Sequence, residues 1–441
     1  MALPKPLTKA SPILIIGAGT WGCSTALHLA RRGYRNVKVL DPYSIPSPIA
    51  AGNDVNKIVE HKDLKPGITD PQSIAFSTFS RAALKGWKSD PVFSPYFHET
   101  GFIIAADKPD LINAIKEHEV DVHDADYVPL ETAEDFRRTM PDGILTGEFE
   151  GWKGWISRKD AGWVQARDAI VSAHNEARRL GIVFVLGSPE GKVEELVYED
   201  GDVVGARTAD GRTHRADHTI LAAGAGSDRL LDFKKQLRPT AWTLSHIRMT
   251  AEEAQRYRNM PVLFNVAKGF FIEPDNDFHE LKVCDEHPGY CNFITDPSNP
   301  NEVKSIPFAR NQIPLESEAR TRDFLRETMP HLADRPFSFA KICWDADTPD
   351  RAFLIDRHPE YKSLVVAVGG SGNGAMQVPS IGGFIADALE GSLAPEVRGI
   401  VCWRPQAAVN RDWSNTQGRH GGAEKVMDLQ DVGDDGWTKI P

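Results

Sequence analysis

Ile13-Leu14-Ile15-Ile16 runs into Gly17-Ala18-Gly19-Thr20-Trp21-Gly22, and the next apolar run, Val37 to Leu40, ends on Asp41. In this order the residues form a device for holding a dinucleotide. Gly17 permits a tight turn, Gly19 lets backbone N–H groups approach a pyrophosphate, and Gly22 lets helix and strand pack closely. Thr20 and Trp21 belong to the same turn, and Asp41 is placed to accept hydrogen bonds from a ribose. The helix that follows, read from Ser24 to Arg32, turns its positive N-terminal end to the phosphates.

Two more strand-to-glycine elements stand far along the chain. One is His218 to Leu221 leading into Ala222-Ala223-Gly224-Ala225-Gly226; the other is Leu364 to Val368 leading into Gly369-Gly370-Ser371-Gly372-Asn373-Gly374 and a helix near Ile381 to Leu389. Each alone reads as an ordinary tight turn. Together they suit an extended flavin dinucleotide, which needs more backbone donors than one loop supplies, and Ala223, Gly224, Gly372, Gly374 and Met376 join the candidate cofactor contacts.

The elements between them carry familiar periodicities. Ser73 to Ser89 and Ala166 to Leu180 read as helices, the latter with Ala169, Ile170, Ala173 and Ala177 at three- and four-residue spacing. Pro42 to Pro71 reads as loops. Ile182 to Leu186 reads as a strand, followed by a meander whose runs Val193 to Tyr198 and Val203 to Thr208 flank Asp200-Gly201, a hairpin signal. Leu237 to Trp344 is richer in strand residues and aromatics. The expected fold is α/β: a Rossmann-like FAD-binding domain, discontinuous over residues 1–90, 156–236 and 345–441, plus a mixed-sheet substrate domain over 91–155 and 237–344.

Bulk properties limit the partners. A chain of 441 residues with 51 Lys and Arg against 62 Asp and Glu carries a formal charge of −11, which speaks against nucleic acid and anionic membranes. No apolar run long enough to span a bilayer is present, and none precedes the first strand. Five cysteines at unpaired spacing fit reduced intracellular thiols. Cys284, His287 and Cys291, with His279 nearby, lack the paired Cys-x-x-Cys of structural zinc, so no metal is expected. A monomer is the expected state.

With these residues in place, the chain resembles the FAD-dependent amine oxidases of the D-amino-acid and sarcosine oxidase superfamily, and within it the fungal fructosyl amino acid and fructosyl peptide oxidases, or amadoriases. The stretches that carry the likeness are the first glycine turn, Ala51-Gly52-Asn53-Asp54-Val55-Asn56-Lys57, Cys284 to Tyr290, Phe337 to Trp344, Phe353 to Pro359 and Gly418-Arg419-His420-Gly421-Gly422. It implies oxidation of a 1-deoxyfructosyl amine to an imine, hydrolysis to glucosone and a free amino acid or peptide, and hydrogen peroxide from O₂.

The resemblance also assigns roles that the residues alone leave open. Cys343 by itself reads as a small buried hydrophobe; the family attaches FAD covalently at this place through a thioether. Lys282, alternating with Leu281 and Val283, reads as solvent-facing; by similarity it lies at the flavin and serves O₂ as a fixed positive charge. Lys57 has a related place on the flavin-side loop, or is a loop lysine in water. Glu286, Arg419 and Asn373 become substrate contacts, Arg419 as a carboxylate fork between glycines. Met376 stands where sarcosine oxidases and some amadoriases carry a lysine, so one cation is missing from the pocket. The alternatives are a sarcosine- or pipecolate-type oxidase, an NAD dehydrogenase, and a flavoprotein that binds Amadori compounds without oxidising them. Peroxide producers of this kind are expected in peroxisome or cytosol, although Trp437-Thr438-Lys439-Ile440-Pro441 carries no peroxisomal tripeptide.

Overall fold

The computed structural model describes residues 6–61, 64–65, 67–121, 124–296, 299–413 and 425–439. Four short apolar runs pair in parallel: His218–Leu221, Ile13–Ile16, Val37–Asp41 and Val183–Leu186. Leu364–Val368 extends the sheet in parallel, and Leu354–Arg357 closes that edge antiparallel. Neighbouring residues of the first strand enter opposite layers: Ile13 and Ile15 join one core, Leu14 and Ile16 another. A strand covered on both faces must be apolar at every position, which explains the unbroken Ile-Leu-Ile-Ile run.

Helices Thr20–Arg31, Ala166–Arg179 and Ile381–Glu390 cover the first face. The meander Val193–Glu199, Asp202–Thr208 and Thr213–Arg215 covers the second, its hairpin turned at Asp200 (φ 51°) and Gly201 (φ 81°) as an Asp-Gly turn requires. The first helix starts at Thr20 rather than Ser24. Gly22 is inside it because any side chain there would strike the turn: a Cβ would lie 1.8 Å from the Gly17 carbonyl oxygen. The stretch read as loops also holds a strand, Lys57–Glu60, paired with Ala161–Val164.

A second, larger sheet is built in the order Phe339–Asp347, Arg238–Arg248, Glu280–Cys291, Gly269–Ile272, Val262–Asn265, Phe102–Ala106, Lys153–Ser157 and Val128–Leu130. It is antiparallel except for the Val262–Asn265 and Phe102–Ala106 pair, and Met427–Asp428 adds a short parallel partner to Glu280–Cys291. Leu281 and Val283 enter the core behind this sheet with Ile247, Phe271 and Phe324. Lys282, alternating with them, faces the other way, toward the loop 51–57. That face is covered by protein, which is why a strand lysine expected in solvent is fully buried.

Candidate active site

The three glycine turns converge because the three strands that feed them are neighbours in one parallel sheet, so their C-terminal ends share one edge. Gly17 turns at φ 103°, and a Cβ there would lie 2.5 Å from the Ala222 carbonyl oxygen, so the first and second turns touch. Trp21 Nε1 donates to the Gly374 carbonyl at 3.2 Å, which ties the first turn to the third. Asp41 braces the same place: its carboxylate accepts from the Ala18 N–H at 2.8 Å and the Tyr43 N–H at 2.9 Å. Burial pushes its carboxyl up, and those two N–H groups hold it back. A carboxylate offers about four acceptor positions, so both bonds leave capacity for hydroxyl donors.

A cavity of about 1570 Å³ runs from these turns to the second sheet. Gly17, Gly19, Thr20, Trp21 and Asp41 line one part, with Ala223, Gly224, Gly372, Asn373, Gly374 and Met376 beside them; Lys57, Glu286 and Cys343 line another. Gly22 is not on the wall; its place is between helix and turn. Met376 also packs on the core, and its carbonyl accepts from Trp87 Nε1 at 2.7 Å. Ordinary ligand pockets span about 300–1,000 Å³, so this one has room for a dinucleotide and a substrate together. The glycine cradle, the braced carboxylate and the converging turns fit FAD. Arg419 lies outside the described residues.

Cys343 is in the middle of Phe339–Asp347, since the strand continues past it to Asp347. Its neighbours Ile342 and Trp344 are buried on one face, while Lys341, Cys343 and Asp345 share the other. Lys57 Nζ lies 3.7 Å from Cys343 Sγ. Lys282 Nζ donates to Asp54 Oδ2 at 2.6 Å and to the Asn56 carbonyl at 2.8 Å, and lies 5.4 Å from the centre of the Phe270 ring, which lines the cavity. Lys282 is therefore one side chain behind the wall.

Asp54 organises this corner. Its Oδ2 also takes Lys57 at 3.0 Å, and Lys341 donates to the Asn53 carbonyl next door. Burial would raise the Asp54 carboxyl, but the ammonium groups of Lys282, Lys57 and Lys341 hold it far below the usual carboxylate range. Burial lowers Lys57, yet Cys343 and Asp54 outweigh it and keep its proton bound more tightly than usual. Lys341, deeply buried, has its proton affinity lowered by that burial. Asp54 Oδ1 and Asn56 Oδ1 are buried and accept no bond from the described residues. Sequence reading missed Asp54 and Asn56 as partners of Lys282, and missed Lys341 altogether. The signals were the Asp54–Lys57 spacing of three and the alternation of Lys341 with Cys343.

Glycine 22 gives a direct test of the cradle. Gly22→Ala presses a methyl against the Gly17 carbonyl oxygen, and overpacking of this kind costs about 1–3 kcal/mol. The expected result is a urea midpoint lowered accordingly and a protein purified with little flavin; an unchanged melt and full flavin content would show that the helix does not rest on the turn.

Comparison with known proteins agrees with this geometry. Residues 12–388 match the family model described as FAD dependent oxidoreductase. The solved structure of fructosyl amine:oxygen oxidoreductase (amadoriase I) from Aspergillus fumigatus is 70% identical, covers 99% of both chains and superposes with a TM-score of 0.97. Fructosamine oxidase (amadoriase II) of the same organism, solved in complex with FSA, is 50% identical over 99% of both chains, with a TM-score of 0.94. L-saccharopine oxidase of Schizosaccharomyces pombe is 29% identical over 412 residues, 89% of this chain and 93% of its own. A sheet edge made of three glycine turns, matched end to end by chains this similar, leaves one conclusion: this chain belongs to the FAD dependent oxidoreductase family and, within it, to the amadoriases.

Proposed function

We propose that this enzyme is an FAD-dependent oxidase of fructosyl amino acids and short fructosyl peptides, releasing glucosone, the free amino acid or peptide and hydrogen peroxide. The observation that carries the reading is the 70% identity, over 99% of both chains, to a fructosyl amine:oxygen oxidoreductase. FAD, when bound, supplies the two-electron acceptor for the sugar C–N bond and passes those electrons to O₂.

The chain's own residues divide the remaining work. Gly17, Gly19, Thr20 and Trp21, with Gly22 behind them, Asp41, Ala223, Gly224, Gly372, Gly374 and Met376 hold the dinucleotide along the sheet edge. Cys343 is the thioether tether. Lys282 and Lys57 provide fixed positive charge through the Asp54 corner. Glu286, Asn373 and Arg419 bind substrate, with Arg419 taking the carboxylate. No side-chain base is required of a substrate amine that binds uncharged. The nucleotide part comprises 1–90, 156–236 and 345–441 and the substrate part 91–155 and 237–344, with Lys153–Ser157 and Phe339–Asp347 crossing the junctions.

Among the described residues no helix is long and apolar enough to cross a membrane. The test is peroxide release with fructosyl-valine, ε-fructosyl-lysine, fructosyl-valyl-histidine and sarcosine. Turnover of at least one fructosyl compound, with sarcosine far slower, is expected, because Met376 removes a cation that a small carboxylate would use. Sarcosine as the better substrate would overturn the reading.

A further inference from the structure

The strand that carries Lys282 does not pass the cavity evenly. Its pairing sets Asp285 opposite Thr243 and Tyr290 opposite Ala241, so five steps on one strand match two on the other. Pro288-Gly289, which reads as a turn, is instead part of a bulge within Glu280–Cys291, with Gly289 at φ 80°. Glu286, at the start of that bulge, lines the cavity. An extra loop of backbone in a ladder re-aims a side chain, but only if its two ends are fixed.

One guanidinium holds both ends. Arg320, on helix Leu315–Thr328, donates from Nε to Asp285 Oδ2 at 3.0 Å, with Nη2 at 2.9 Å from the same oxygen. Its Nη2 also donates to Tyr290 Oη at 2.8 Å. Tyr290 Oη in turn donates to Glu316, which accepts from Arg320 Nη1 as well. Ser317 Oγ donates to Asp285 Oδ2 at 2.9 Å and meets Thr243 Oγ1 at 2.6 Å, so the carboxylate is held from two sides. Asp285 and Tyr290 are buried, at 2% and 1% exposure. Burial alone would lower the proton affinity of Arg320; Asp285 and Glu316 raise it above the ordinary value, so the staple stays charged.

We infer that Arg320 is a positioning residue for substrate binding: by fastening the residues on both sides of the 286–289 bulge it sets where Glu286 stands in the cavity. The inference rests on the reading of Glu286 as a substrate contact. A lysine in its place reaches one end but not both, because it lacks the planar fork. Arg320 does not line the cavity, so its effect must pass through the bulge.

The experiment compares wild type, Arg320→Lys, Arg320→Met, Glu286→Gln and the Arg320→Lys/Glu286→Gln double variant as holoenzymes. Fructosyl-valine kinetics at saturating O₂ are read beside hydrogen exchange of the intact protein. Losing one charged hydrogen bond of about 1.5 kcal/mol corresponds to about a tenfold change. Arg320→Lys is expected to raise KM about tenfold, to keep kcat within about twofold, and to speed exchange at residues 286–289 but not in Arg238–Arg248. Arg320→Met, even if it folds poorly, should exceed it in the same direction. On top of Glu286→Gln the lysine substitution should add almost nothing, as expected of residues that act as a unit. A fully additive double variant, or a raised KM for Glu286→Gln beside an unchanged one for Arg320→Lys, overturns the inference while leaving the substrate role of Glu286 intact. An unchanged KM for Glu286→Gln overturns that role and the inference with it.

Discussion

Cys343→Ala is expected to yield an enzyme whose flavin leaves with acid: wild-type pellets stay yellow after precipitation, and the variant's supernatant takes all the colour. The sulfur is half-buried on Phe339–Asp347 and opens onto the cavity, where a cofactor atom can reach it. The Lys57 ammonium lies 3.7 Å from the sulfur and the Ala51 carbonyl 3.9 Å from it. A cation thus stands against the atom that would act as nucleophile in forming the proposed thioether. The glycine turns and Asp41 are untouched by the substitution, so FAD still binds, now as an exchangeable ligand. Cys343→Ser should behave in the same way, because a hydroxyl in this place is a far poorer nucleophile than a thiol. Fluorescence of the denatured polypeptide on a gel reads the bond directly: bright for wild type, dark for both variants. Wild-type flavin that is already extractable, or a fluorescent Cys343→Ala band, would remove the tether from this residue.

What could be read from the sequence was whatever is encoded within one or two neighbouring elements. The first glycine turn, the helix after it and the carboxylate at Asp41 lie within about thirty residues, and each obeys a local rule. The Asp-Gly hairpin at 200–201 is equally local. Alternation correctly put Lys282 on the face opposite Leu281 and Val283. What alternation could not supply is the material on that face. Asp54 is separated from Lys282 by 228 residues, and their bond exists only because the loop 51–57 folds over the second sheet. The bulge at 286–289 failed for a related reason. Pro288-Gly289 has turn chemistry, but the partner strand Arg238–Arg248 keeps the ladder going on both sides and absorbs the extra residues. Arg320 illustrates the same limit: Glu316 four residues earlier makes it look like an ordinary helix-surface pair, whereas its fork points into a strand.

Lys282→Met is the second large effect, and it separates the two halves of the reaction. The ammonium has no exposure to solvent, and is bound to Asp54 and to the Asn56 carbonyl. One carboxylate among three lysines leaves the corner with excess positive charge, and the Phe270 ring, 5.4 Å from the Lys282 ammonium, lines the cavity. In such dry surroundings a fixed charge acts at nearly full strength on any negative charge that develops nearby. Removal of one preorganised electrostatic group typically costs about 10²–10³ in rate. That loss should fall on the reaction of reduced enzyme with O₂, where negative charge must be created on a neutral molecule. Anaerobic reduction by fructosyl-valine, which begins from an uncharged amine, should slow by less than about tenfold on the same scale of interactions. Stability responds too, because breaking a buried ion pair from one side costs about 3–5 kcal/mol. Here Lys57 still holds Asp54 at 3.0 Å, so the loss should be at the lower end. The double variant Lys282→Met/Asp54→Asn also takes from Lys57 its carboxylate partner, so it should melt below Lys282→Met and recover none of the oxygen rate. Stopped-flow traces of both half-reactions decide the matter: equal slowing of the two would show Lys282 to be a structural cation and nothing more.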